Sequence, residues 1–117
     1  MKRDDEKLRE LLFKVEAESD FLIIIPETLG MVEEDRIELY HAKLCCDAGL
    51  LLEVNNSVYR LTSQGHDYLD AIRSDTVWDK TKAGAAKVGG MTLGMMKDLA
   101  VVYVKQEVAE KLGVKFD

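Results

Sequence analysis

Apolar residues at Leu8, Leu11, Leu12 and Val15 recur at i, i+3, i+4 and i+7, the spacing that gathers one face of a helix. Asp4 stands ahead of them as an N-cap, and Lys, Arg and Glu fill the other faces, so a first helix is predicted from Asp4 onward. The period then changes. Phe21-Leu22-Ile23-Ile24-Ile25 is a short run rich in β-branched residues, closed by Pro26, and reads as a buried strand. From Glu33 to Ala48 the apolar positions Ile37, Tyr40, Leu44 and Ala48 mark a second helix, which Gly49 can end in the left-handed conformation.

After Gly49 the run Leu50-Leu51-Leu52 shifts the period from helical to two. Asn55-Asn56 fits a two-residue type I′ turn, because Asn tolerates positive φ better than other non-glycine residues. That turn places Leu52 opposite Tyr59 and Glu53 opposite Val58, with Leu52, Val54 and Tyr59 on one face. Thr62 then caps a helix whose inward stripe is Tyr68, Leu69 and Ile72. Gly65 in its first turn is explained by close approach to the hairpin or to the first helix.

The order helix, strand, helix, strand, strand, helix predicts an α+β, mostly helical chain. Residues 1–73 form a winged-helix-like domain, with the hairpin as its wing and Phe21–Ile25 as the third strand of a small antiparallel sheet. Between Pro26 and Glu33 there is too little chain for the helix that normally braces a reader helix. Residues 74–117 form a helical extension. Ser74 and Asp75 start a helix through Trp78 to about Lys87, Gly89-Gly90 breaks it, and Thr92 caps a last helix to about Leu112, before Gly113. Trp78 is expected to plug the junction of these two helices.

The last helix is apolar on more than one side. Leu93, Met96, Ala100 and Tyr103 make one stripe, while Met95, Leu99, Val101, Val102, Val104 and Val108 widen it around the cylinder. An apolar arc wider than about 100° calls for cover on two sides, and a second copy is the natural second cover, the alternative being that the helix threads between the first helix and the sheet of its own chain. These six residues form the expected homodimer interface.

Composition narrows the class. A chain of 117 residues, 47% hydrophobic and 32% charged, is sized for one soluble globular domain. No basic-then-apolar leader opens it, and the longest apolar run, Leu99 to Val104, is far short of the roughly 20 residues that span a bilayer. A cytoplasmic protein without membrane contact is expected. Cys45 and Cys46 are adjacent and are the only cysteines, which excludes a disulfide framework.

Charge weighs on the choice of partner. The would-be reader helix, residues 33–48, holds five acids against two bases, whereas affinity for a duplex comes from neutralised phosphates. Its acidic start is explained by the helix dipole. If DNA were bound, Arg36, Tyr40, Lys43, Asn55, Asn56 and Arg60 would touch it, with Arg60 diagonal to Glu53 and partly neutralised by it. The basic stretch lies elsewhere: Lys80, Lys82, Lys87, Lys97, Lys105 and Lys111 against Asp98, Glu107 and Glu110, a solvated face or a steering surface for an acidic partner.

Chemistry is sparse. His41 and Cys45 sit at i and i+4, and His66-Asp67 adds donors. Zinc needs four convergent ligands, and no Cys-x-x-Cys is present. A Cys45/His41 or Cys46/His66 nucleophile pair lacks a third orienting group and an oxyanion donor. No catalytic residues, metal or cofactor are expected.

Several segments carry a resemblance: Met1-Lys2-Arg3-Asp4, Tyr40-His41-Ala42-Lys43-Leu44 through Ala48-Gly49-Leu50, Arg60-Leu61-Thr62, Gly65-His66-Asp67-Tyr68-Leu69-Asp70-Ala71, and Asp75-Thr76-Val77-Trp78 with Lys80. Together they resemble the family called domain of unknown function 2513, small proteins of bacteria and their phages or prophages. The resemblance implies a winged-helix-like fold and a mobile-element context, and carries over no catalytic residue. The leading expectation is a non-catalytic binding or regulatory protein of phage or prophage type. It would act on a host or phage protein as a homodimer, the alternative being a transcriptional regulator that binds DNA.

Overall fold

The computed structural model describes residues 1–115. They form a mostly helical α+β structure of five helices and a small three-stranded antiparallel sheet: α1 (Asp5–Ala17), β1 (Leu22–Ile24), α2 (Glu33–Asp47), β2 (Leu51–Asn55), β3 (Val58–Leu61), α3 (Ser63–Ile72), α4 (Asp75–Lys87) and α5 (Leu93–Leu112). The elements follow in the order that the hydrophobic pattern predicts. Residues 26–32 contain no helix. The chain divides into two units, Met1–Leu69 and a second beginning at Asp70.

Helix starts follow the side chains able to satisfy free amides. Asp4 Oδ1 accepts from the amides of Glu6 at 3.0 Å and Lys7 at 3.2 Å, and Thr62 Oγ1 accepts from Gly65 at 2.9 Å. Ser74 and Thr92 do the same for Val77 and Met95. Helix α2 differs: its N-cap is Val32, which offers no side-chain acceptor, and Glu33, Glu34 and Asp35 fill its first turn. Carboxylates there interact favourably with the positive end of the helix dipole.

In the first unit α1 packs on α2 and on β3. Its stripe Leu8, Leu11, Leu12 and Val15 is buried as the spacing predicts, with Tyr68 and Leu69 of α3 and Leu51, Tyr59 and Leu61 of the sheet. Each such large side chain contributes about 1.5–3 kcal/mol by leaving water. In the second unit α4 and α5 form an antiparallel hairpin turned at Gly89 and Gly90, both at positive φ. Gly84 of α4 lets α5 approach closely, since a Cβ there would lie 2.8 Å from Leu99 Cδ2 and 3.5 Å from Tyr103 Oη. Trp78, Met96 and Ala100 are buried.

Three expectations are corrected. First, α2 buries Leu39, His41, Ala42 and Cys45, while Ile37, Tyr40 and Leu44 are only half-buried and Ala48 is exposed. The inward face is rotated because it contains a histidine, whose burial is permitted by hydrogen bonds at both ring nitrogens.

Second, β1 is not a buried strand. The sheet order is β1-β3-β2, so β1 is an edge, and Phe21 and Ile24 are 73% and 74% exposed. A β-branched run stiffens an extended backbone whether or not its face is covered.

Third, the hairpin is paired one residue away from the predicted register, with Leu52 opposite Arg60, Glu53 opposite Tyr59 and a bulge between Glu53 and Asn55. Asn55 pairs with Val58, so Asn56 and Ser57 make the turn, and only Ser57 has positive φ, at 62°. This is not a type I′ turn, which needs positive φ at both central residues. It is closed by a side chain: Glu53 Oε2 accepts from the Ser57 amide at 3.1 Å. Tyr59 therefore faces inward, while Leu52 and Val54 are exposed. Arg60 is not diagonal to Glu53 on one face but lies on the face opposite to it.

Candidate functional site

The hairpin is held by a joint at its base. Leu50 N donates to the carbonyl of Cys45 at 2.8 Å, Thr62 N to that of Leu50 at 3.1 Å, and Thr62 Oγ1 to that of Gly49 at 2.5 Å. Gly65 sits over the Leu50 carbonyl, where a Cβ would lie 2.1 Å from the oxygen. The end of α2, the hairpin and the start of α3 thus share one set of backbone bonds, which fixes how the sheet presents its faces.

The inner face meets α2 through a charged cluster. Lys43 Nζ lies 2.9 Å from Glu53 Oε1 and 5.4 Å from the centre of the Tyr59 ring. Hydrogen bonding to Tyr59, and next to Glu53, holds the Lys43 ammonium above its ordinary range. Lys43, followed by the Ser57 amide, holds the Glu53 carboxyl below its own. Burial raises the Tyr59 hydroxyl.

The outer face is different in kind. Register places Leu22, Arg60 and Leu52 in one row across the three strands and sets Ile24 beside Val58. Leu22 is 40% exposed, Leu52 45% and Val54 44%. Arg60, half-buried at the middle of the row, donates to the Leu61 carbonyl at 3.3 Å. The result is an apolar sheet face with one cation near its centre. Sequence reading missed it because the predicted register turned Leu52 and Val54 inward; the bulge and Ser57 reverse that.

The residues named for DNA contact do not converge. Arg36 stands exposed in the acidic first turn of α2, and Tyr40 packs edge-on against the His41 ring. Lys43 is engaged on the inner side of the sheet and Arg60 lies on the outer. Asn55 Oδ1 accepts from the Asn56 amide at the turn.

The other candidates lie as follows. Among those named for a dimer, Met95, Val101 and Val102 are exposed, Val104 and Val108 are half-buried, and Leu99 packs over Gly84. His41 commits both ring nitrogens to backbone groups: Nδ1 donates to the Ile37 carbonyl at 2.8 Å and Nε2 accepts from the Asp4 amide at 2.9 Å. Cys45 is buried, and burial pushes its thiol up to about 12. Cys46 is half-buried, with its thiol raised by burial and then by the Glu53 charge. His66 is exposed at the rim of a groove that includes Phe21 and Leu61. Among the described residues no three His, Cys, Asp or Glu side chains come together to hold a metal ion, and no helix is long and apolar enough to cross a membrane.

The sequence profile of the family described as hypothetical protein (DUF2513) matches residues 2–92, a span that includes the whole sheet and α4 and stops short of α5. An uncharacterized protein of Haemophilus influenzae (strain Rd) is 31% identical over 119 residues, covering 93% of this chain and 100% of that protein. The chain belongs to the DUF2513 family. No solved structure matches it.

Proposed function

We propose that this chain is a non-catalytic binding protein of phage or prophage type that engages another protein through the outer face of its sheet and pairs with a second copy through α5. In this reading the first unit is a winged-helix-like domain in a cytoplasmic protein. The order helix, strand, helix, hairpin, helix supports the domain assignment, and the family resemblance supports the mobile-element setting.

The observation that carries the reading is the row Leu22, Arg60, Leu52, with Ile24 and Val54 beside it. A sheet face this apolar and this exposed is the surface composition of a contact site rather than of ordinary solvated sheet. Charge supports a protein over a duplex: Met1–Leu69 holds eight Lys and Arg against fifteen Asp and Glu, a net of −7. Support for pairing comes from α5, where Met96 and Ala100 are buried while Met95, Val101, Val102 and Leu112 stay exposed.

The test is a titration of the full chain against a fluorescent random-sequence duplex at about 50 mM salt, where electrostatic affinity is strongest. The reading predicts no saturable binding up to about 10 μM protein, a range in which non-specific DNA-binding proteins respond. Tighter binding that falls steeply with salt and weakens on Arg60→Ala would favour a DNA-binding regulator instead.

A further inference from the structure

Among the described residues, strand β1 pairs only with β3, and its other side carries no strand. The Ile25 amide donates to the Ser57 carbonyl at 3.0 Å, which marks Ile25, and by alternation Ile23, as the residues whose backbone groups turn toward β3. Leu22 and Ile24 turn theirs the other way. Asp20 Oδ1 takes the Leu22 amide at 3.0 Å, so the Leu22 carbonyl and both backbone groups of Ile24 remain on the open side, at a residue 74% exposed.

Beneath that edge runs a groove of about 290 Å³. Leu11 and Val15 of α1 and Ile23 of β1 supply apolar lining, and no residue of β3 contributes to it, which places the groove on the free side. The Lys14–Glu38 ion pair, at 3.0 Å, spans from α1 to α2 along it. Glu18 and Asp20 line it as well. Three carboxylates against one ammonium, itself engaged, leave the lining net negative.

We propose that the β1 edge and this groove bind an extended segment of a partner protein by strand addition. One apolar side chain of the segment packs against Leu11, Val15 and Ile23, and a Lys or Arg lies against Glu18 and Asp20. The proposal rests on the protein-contact reading and adds where the partner chain lies and what it carries. In strand addition main-chain hydrogen bonds supply affinity, while alternate side chains, one in the groove and the next over the outer face, supply selectivity. Pairing reaches only as far as Pro26, so the segment is short.

Charge argues against a second copy as the occupant. Residues 18–27 carry Glu18, Asp20 and Glu27 with no Lys or Arg, and a copy would bring a second unit of net −7 to an already negative groove.

The probe is a blocked peptide of about seven residues, alternating Val and Thr with Lys at both ends, titrated into the full chain and followed by amide NMR. Saturable shifts are expected at Leu11, Ser19 and Ile24. Exchanging the terminal Lys for Glu, or N-methylating the amides that would face β1, should weaken binding at least about tenfold each. Ile24→Pro, which removes the outward amide, should do the same while leaving the remaining spectrum in place. If that variant unfolds, the N-methylated peptide carries the test alone.

Equal binding of the Lys and Glu peptides, or no shifts at millimolar peptide, would overturn the proposal. So would conversion of a dimer to a monomer by Ile24→Pro, which would assign the edge to a second copy. Shifts confined to Leu52 and Val54 would overturn the groove while leaving the protein-contact reading intact.

Discussion

The backbone amide of Asp4 donates to Nε2 of His41, 2.9 Å away and 37 positions along the chain. His41 Nδ1 is bonded to the Ile37 carbonyl at 2.8 Å, so Nδ1 carries the proton and Nε2 is the acceptor. One neutral, buried ring thus ties the residue that caps α1 to the middle of α2. His41→Leu keeps most of the volume and removes both bonds, and should lower the unfolding free energy by about 1–3 kcal/mol. His41→Gln, whose amide can both donate and accept, should recover part of the loss. Urea denaturation of the three proteins at neutral pH measures both effects.

Gly65 makes a second point of no tolerance. A Cβ there would lie 2.1 Å from the Leu50 carbonyl oxygen and 2.6 Å from Leu61 Cδ1, and the carbonyl already accepts the Thr62 amide. Gly65→Ala should cost about 3 kcal/mol through a forced shift of the hairpin base. Gly94, whose added Cβ meets nothing nearer than Thr92 Oγ1 at 4.0 Å, provides the contrast. Gly94→Ala should be neutral or stabilise by up to about 1 kcal/mol. Thermal unfolding of the two variants side by side checks the sign difference.

Helix punctuation was legible because it is local chemistry. Asp4, Thr62, Ser74 and Thr92 cap the helices they precede, and Gly49 and Gly113 end theirs at positive φ. The register of the hairpin was not, because it depends on Glu53 reaching the Ser57 amide while Lys43, ten residues earlier on another element, holds the same carboxylate. Nothing in the residues around Asn55 encodes that clamp. The candidate face failed with the register, since a slip of one residue exchanges the two sides of a strand. His41 hid the inward face of α2 for a related reason: a periodicity of apolar residues passes over a polar side chain whose bonds are made at a distance.

Burial pushes the Cys45 thiol from its ordinary 9.0 up to about 12. The folded chain therefore holds this proton above pH 9, where the unfolded chain releases it, so unfolding is favoured as pH rises. The stabilisation is complete below about pH 9 and is lost progressively toward about pH 12. Cys45→Ala should flatten that alkaline decline. In the native protein Cys45 should react with a thiol reagent at pH 8 only at the rate of unfolding, since the thiolate is the nucleophile.

Tyr68 is buried with its hydroxyl unmatched by any protein hydrogen-bond partner among the described residues, and burial raises its ionisation above the ordinary tyrosine value. Tyr68→Phe removes that polar atom and keeps the ring. It should leave stability unchanged or raise it by up to about 1 kcal/mol, the reverse of the usual core substitution. Urea denaturation decides the sign.

Pairing through α5 is tested by mass. Sedimentation equilibrium should give twice the 13.2 kDa chain mass. Val101→Asp with Val102→Asp should return the single mass with little change in monomer stability, because both side chains are exposed in the single chain. A monomeric parent would reject the dimer, and a variant that stays paired would reject this interface.

Contact through the outer sheet face is tested most directly by a photo-reactive benzophenone side chain placed at Leu52, with Glu10 on the exposed side of α1 as the control position. Irradiation in a bacterial or phage-infected extract should yield a discrete protein adduct from Leu52 that survives nuclease, is absent from Glu10 and is lost on Val54→Lys. Adducts that nuclease removes, or equal labelling from both positions, would contradict the account.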